Sequence, residues 1–223
     1  MAYGFDFASI APYSDVLVHG VVLTLELTAI GTVLGVGIGT LGAAARTSDN
    51  RLLSGIVGAY VELIRNTPFL VQLFFIFFGL PALGLKLGEF QAACIAMVVN
   101  LGAYSTEIIR AGIQAIPKGQ IEAGRSLAMS GPQIFRYIIL KPALQKVWPA
   151  LSSQIIIVML GSAVCSQIAV EELSYAASYI QSRNFRAFEV YLVTTAVYIL
   201  LAVALRAVLR AGGGYVFARP ARA

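Results

Sequence analysis

Charge is scarce in this chain, and so are the residues that do chemistry. Asp, Glu, Lys and Arg make up 12% of the 223 residues, roughly half of what a soluble domain carries. Histidine occurs once, at His19. A serine–histidine relay or a histidine-built metal centre has no material to form from, so neither catalytic nor metal-ligating residues are expected. Cys94 and Cys165 both lie in apolar runs and read as small core residues, not as a disulfide or metal pair. No stretch reads G-x-x-x-x-G-K-[ST], which excludes ATP binding through a P-loop. The opening MAYGFDFASIAPYSDV has neither a basic n-region nor a long apolar h-region. It is not read as a cleavable signal peptide, and the first span is expected to direct insertion.

Apolar sequence is what the chain has in abundance: 58% is hydrophobic and the mean hydropathy is +0.81. Lipid is therefore the solvent for most of it, and residues 1–223 read as a single transmembrane domain. The net charge of +5 is accounted for by a basic cytoplasmic face, so membrane lipid is an expected partner and nucleic acid is not. Five stretches are long and apolar enough to cross a bilayer as helices of ~20 residues: about 17–45, 55–80, 89–109, 147–169 and 187–209. The fold class is an all-α membrane protein. The second stretch is long for one span, and its opening LLSGIVGAYVELIR, with Glu62 and Arg65 three apart, reads as an interfacial helix before Pro68.

Orientation follows from the Lys and Arg residues. With the N-terminus outside, the inner segments hold thirteen of the sixteen: Arg46, Arg51, Arg65, Arg110, Lys118, Arg125, Arg136, Lys141, Lys146, Arg206, Arg210, Arg219 and Arg222. The outer ones hold Lys86, Arg183 and Arg186. The expected topology is N-out, C-in.

Within the first span, Gly31, Gly35, Gly39 and Ala43 recur every fourth residue and predict a helix-packing face. Gly20, Thr24, Thr28 and Thr32 form a second such row, which either lines a path or bonds back to its own helix. Glu26 either faces a water-filled interior or snorkels to the outer surface, the second reading being preferred.

The longest inner segment runs 37 residues from Arg110 to Lys146. Gln120–Met129 reads as a helix, and Ser130-Gly131-Pro132 breaks it and caps a second one. That second helix runs through IFRYIIL and is expected to end near Lys141-Pro142. Two short amphipathic helices joined by a turn either dock into a partner or lie flat on headgroups, and physics alone leaves both open.

At this point the residues resemble a family. GQIEAGRSLAMSGPQIFRYIILKPAL is similar to the cytoplasmic coupling loop of ABC importer permeases. YVELIRNTPFLVQLFFIFFGLP, YSTEIIRAGIQAIPKGQ, IQSRNFRAFEVYL and HGVVLTLELT resemble the branch that imports histidine, glutamine, arginine and opines. The resemblance implies a type I importer fold in the bacterial inner membrane, with about five spans and a coupling loop over about 111–146. It implies a second permease subunit, identical or paralogous, two ABC ATPase subunits holding ATP and Mg, and a soluble substrate-binding protein. This chain itself would hold no cofactor.

By the same resemblance, coupling to the ATPase falls to Gly119, Gln120, Glu122, Ala123, Gly124, Arg125, Ala128, Ser130 and Gly131, with Ala123 and Gly124 letting the helix seat deeply in the ATPase. The usual loop glycine falls at Ala128, so the turn is expected to rest on Gly131. The common Lys-Asp-Thr-Ser-Leu block falls on Leu160-Gly161-Ser162-Ala163-Val164, without either charge. That loss favours pairing with a paralogue that supplies a substrate site, adaptation to a different ligand being the other reading. Pathway candidates are Arg65, Asn66, Thr67, Asn100, Glu107, Ser162, Ser166 and Gln167, each of which can equally serve helix-to-helix hydrogen bonding. For Glu107 with Arg110 a structural pair is preferred. Glu171, Glu172, Tyr175, Tyr179 and Arg183 read as an outer cap for the binding protein. A secondary transporter would need more spans, repeats and intramembrane carboxylates, and a scaffold would not need the coupling loop.

Overall fold

A computed structural model of the chain describes residues 4–217; Arg219 and Arg222 lie outside the described residues. After a short 3-10 turn at Phe7–Tyr13 come α1 (Ser14–Arg46), α2 (Arg51–Arg65) and α3 (Phe69–Ala82). They are followed by α4 (Glu89–Gln114), α5 (Lys118–Ser126), α6 (Gly131–Ile168), α7 (Leu173–Asn184) and α8 (Ala187–Phe217). Helices α1, α4, α6 and α8 are each long and apolar enough to span a membrane, and α2 with α3 forms a fifth, broken span bent by 109°.

The seam between α1 and α4 fixes how the chain threads the membrane. Gly31 packs on Met97, Gly35 on Leu101 and Gly39 on Ser105. Both numbers rise together, so the two helices run parallel and cross in the same direction. The chain must therefore return between them, and only α2 with α3 is available to do so. Helix α6 runs the other way: Gly112 of α4 lies against Ala143, whereas the earlier Asn100 shares a cavity with the later Ile157 and Gly161. Helix α8 reverses again, since the Trp148 Nε1–H donates to the Leu209 carbonyl at 2.9 Å while Tyr198 lies by Leu160 and Ala163. Five crossings follow, and the basic ends put the C-terminal one inside.

Helix α4 is the central post: 61% of its most apolar window is buried, against 6% for α8. Leu27, Leu73, Met97, Leu101, Leu151 and Ile155 meet around it. The threonine row of α1 is a packing face and not a path. Gly20 sits against the Leu173 backbone, the Leu173 N–H donates to Thr24 Oγ1 at 3.2 Å, and Thr28 Oγ1 bonds back to the Thr24 carbonyl at 2.7 Å. Glu26 is exposed, pointing away from the chain's own core.

The predicted stop at Lys141-Pro142 is not there. Helix α6 runs unbroken from the loop into the span, because residues Ile134–Leu140 open into π geometry. A proline ring clashes with the carbonyl four residues back; here that residue is Ile138, inside the widened turn. The loop's second helix and the fourth span are thus one rod.

Candidate functional site

The break between α2 and α3 is the first irregular point in the membrane. Pro68 has no N–H to give, and it disfavours helix at Thr67, so the regular ladder of donors to the carbonyls at the end of α2 is interrupted. Bare carbonyls inside a membrane are costly. Gln72 closes the gap from the far side: its Nε2 donates to the carbonyls of Ile64 at 2.7 Å and Thr67 at 3.0 Å. It also reaches Thr67 Oγ1 at 2.9 Å. Asn100 of α4 donates from Nδ2 to Gln72 Oε1 at 2.9 Å, which fixes which way the amide faces. Gln72 was not among the residues singled out from sequence, although a glutamine alone in FLVQLFFIFF is a signal. Gln72→Leu leaves the Thr67 carbonyl without a donor and Ile64 with only the longer bonds from the Thr67 N–H at 3.5 Å and hydroxyl at 3.4 Å, and a buried polar group left unpaired costs about 1–3 kcal/mol. The purified protein is expected to denature at a lower temperature, whereas unchanged melting would mean that water replaces the amide.

Beside this break lies a chamber of about 300 Å³ lined by Thr67, Pro68, Phe69, Asn100, Tyr104, Gln154, Ile157, Val158, Gly161 and Val164. Of the residues named from sequence, Thr67 and Asn100 line this chamber, and Tyr104 and Gln154 join them. No charged side chain lines the chamber. Gly161, one of the two positions where the resemblance leads one to expect a charge, is on its wall; Leu160 lines a separate apolar groove. Ser162 does not line the chamber. It is fully buried, and its hydroxyl bonds to the Met159 carbonyl at 2.6 Å. Ser166 likewise bonds back to Ala163 at 2.7 Å, and Gln167 is exposed beyond the chamber.

Towards the inner surface a second, charged cavity of about 420 Å³ is lined by Arg46, Glu62, Arg65, Asn66, Tyr104, Glu107 and Arg110 among others. Glu107 is bound to Arg110, at 2.6 Å from Nη2 to Oε2 and 3.0 Å from Nε, and lies 3.7 Å from Arg46 Nε. The preferred structural reading of that pair holds and extends to α1. Arg65 lies over the Tyr104 ring at 5.4 Å.

The inner loop folds on itself. In α5, Gly124 is buried against Ile134 and Ile138 of α6, and a Cβ there would stand 2.5 Å from Ile138 Cδ1. The other side of α5 is outward: Gly119, Gln120, Glu122, Ala123 and Arg125 are all exposed. Of the small pair, Ala123 faces out and Gly124 is spent within the loop.

The turn after α5 rests on Ala128 and not on Gly131. Ala128 takes the left-handed conformation with φ 55°, and the Met129 N–H reaches back to the Gly124 carbonyl at 3.2 Å. That backbone costs an L-residue roughly 1–2 kcal/mol. Ser130 caps α6 as predicted, with Gln133 Oε1 accepting from its N–H at 2.8 Å and from its hydroxyl at 3.0 Å. Gly131 and Pro132 form the first turn. Lys146 Nζ donates to the Ala115 carbonyl at 2.7 Å, holding the inner end of α4 to α6.

The family description "Binding-protein-dependent transport system inner membrane component" matches residues 31–212. The chain belongs to that family. As a member it is a multi-pass membrane permease subunit of an ABC transporter. It is 35% identical over 208 residues to the glutamine transport system permease protein GlnP of Escherichia coli (strain K12), covering 92% of this chain and 95% of that one. It is 40% identical over 169 residues to the L-cystine transport system permease protein TcyB of Bacillus subtilis (strain 168), covering 76% and 72%. Among solved structures, an amino acid ABC transporter crystallised with histidines superposes at a TM-score of 0.85 with 36% identity, over 95% of this chain and 99% of that one. The inward-facing MetNI methionine transporter gives 0.69 with 27% identity, over 90% and 97%.

One of the five residues read as an outer cap of this permease is not at the surface. Glu172 is completely buried and is no contact for a binding protein. It caps α7 by accepting from the Tyr175 N–H at 2.9 Å, and its other oxygen accepts from the Tyr198 hydroxyl at 2.7 Å. Burial pushes its carboxyl above the ordinary carboxylate range, and those hydrogen bonds oppose the rise. Glu171, Tyr175 and Tyr179 line an outer pocket of about 370 Å³ together with Asp15 and His19. Arg183 lies over the Tyr179 ring at 4.9 Å.

Proposed function

We propose that this permease is one of two that form the pathway of an ATP-driven importer of polar amino acids in a bacterial inner membrane. The observation that carries the reading is a set of paired features along α4. A chamber sized for an amino acid lies at its middle, and its inner end runs directly into the loop whose outward face is Glu122, Ala123 and Arg125. Glutamine and cystine are transported by its named relatives, which supports a polar amino acid as cargo. ATP and Mg belong to a pair of partner ATPases docked on α5, and a soluble binding protein delivers cargo to the outer pocket. The chamber's lack of charge favours a paralogous second permease that supplies the ionic contacts for the cargo's charged groups.

The test is to purify the chain with its native partners and assay hydrolysis with binding protein and each of glutamine, cystine, histidine and arginine. A P-loop ATPase should co-elute, and hydrolysis should rise with one of these ligands. Glu122→Lys should leave the permease inserted while ATPase retention or stimulation falls at least tenfold. Undiminished uptake by that variant would refute the docking assignment, and active complexes with no second permease would refute the heterodimer.

A further inference from the structure

Glu62 and Arg65 sit one turn apart on α2, a spacing that normally lets a carboxylate and a guanidinium meet. They do not meet. Among the described residues, no carboxylate oxygen lies within 4.0 Å of an Arg65 nitrogen and no cationic nitrogen within 4.0 Å of the Glu62 carboxylate. Both line the inner cavity of about 420 Å³. The other charges there are already engaged, Glu107 holding Arg110 and facing Arg46. What remains is one anion and one cation, splayed apart and open to the same space.

We propose that this cavity is a release-side site for an α-amino acid zwitterion, with Arg65 taking the carboxylate and Glu62 the ammonium group. The proposal rests on the importer reading above. Two further observations fit it. The mid-membrane chamber offers a zwitterion no charge, so this chain's own ionic complement lies one step inward. Tyr104 lines both spaces and is therefore the wall between them; Arg65 stacks on that wall at 5.4 Å. An amino acid leaving the chamber past Tyr104 meets a guanidinium first, and its carboxylate can take that guanidinium through a charge-assisted bond. Asn66 adds a side-chain carbonyl to the same rim, its Nδ2 being bound to the Glu62 backbone carbonyl at 2.8 Å.

A filled release site slows import, because cargo on the inside then competes with cargo leaving. The complete complex is reconstituted in liposomes preloaded with increasing amounts of L-glutamine, L-cystine, L-histidine or L-arginine. ATP-driven uptake of the same labelled amino acid is then measured. Each variant is normalised to its own rate from empty vesicles. In the wild type, internal amino acid should lower uptake. Arg65→Gln and Glu62→Gln should each raise the half-inhibiting internal concentration by about tenfold, the loss of roughly one charged contact. Arg65→Lys, which keeps the cation and guards against a folding defect, should restore most of the inhibition.

Identical half-inhibiting concentrations in all four proteins would overturn the proposal, as would wild-type uptake that ignores internal amino acid. If the inhibition instead followed replacement of phosphatidylethanolamine by phosphatidylcholine and not the substitutions, the cavity would hold a lipid headgroup and the proposal would fall. Absence of ATP-driven uptake of any of the four amino acids is a different result, and it would sink the importer reading itself.

Discussion

Gly39→Val should unseat α1 from α4 and leave little folded permease to purify. A Cβ at residue 39 would overlap Ser105 Cβ and stand 3.0 Å from the Ser105 carbonyl carbon and the Thr106 nitrogen. Two of those three atoms are backbone, so no rotamer change can relieve the clash. The helices must separate, and the contacts at Gly35 and Gly31 further up the seam separate with them. Overpacking of a rigid site costs about 1–3 kcal/mol and at times more; with backbone as the obstacle the upper end applies. Without a hydrophobic drive between helices in lipid, close packing is what the pair has. Thermal aggregation of the detergent-solubilised protein reads the effect. Gly37→Val is the matched comparison, since nothing lies within 4 Å of a Cβ there. Equal melting of the two variants would show that the seam does not hold the fold.

Gly124→Val acts differently, because its obstacles are side chains. Its added Cβ meets the Cδ1 of Ile138 and the Cγ1 of Ile134, both on the rod that continues as the fourth span. The spans should fold and insert, while α5 is pushed off its seat on α6. On the docking assignment above, hydrolysis should then continue with uptake per ATP lowered by about tenfold or more, a coupling loss of roughly 1.4 kcal/mol. Ile138→Ala introduced beside it removes the colliding atom and should recover much of the coupling, as expected of residues in direct contact. A fully coupled Gly124→Val, or a double variant no better than the single one, would show that the α5 seat on α6 is not what carries the stroke.

Much of this architecture is legible in the residues because lipid leaves few options. Five apolar stretches, a basic inner side and a small-residue row every fourth position each have one cheap solution, and the structure takes it. Pro68 with Glu62 and Arg65 likewise announces the bend in the second span. What the residues do not announce is where a helix survives an obstacle. Pro142 reads as a stop because an isolated turn cannot pass it, yet a π segment absorbs the ring. Ala128 reads as a poor turn residue, yet the bond from Met129 to Gly124 holds it left-handed. Glu172 shows the limit for a site: two adjacent glutamates look alike in sequence, and only the packing of α7 against α8 puts one in the core and leaves the other in the outer pocket. Arg65 is a pathway candidate from sequence, but that Glu62 leaves it unpaired is not legible there, since the spacing predicts that the two bind each other.

The stitch at the broken span bears on how well the membrane stays sealed. The bilayer core holds no water to serve a carbonyl stranded where a spanning helix breaks, and water drawn in to serve it would open a route for protons. Gln72 reaches back across Pro68 to serve Ile64 and Thr67 from within the protein. The bend in the second span is thereby closed by the protein's own groups and needs no water to satisfy it there.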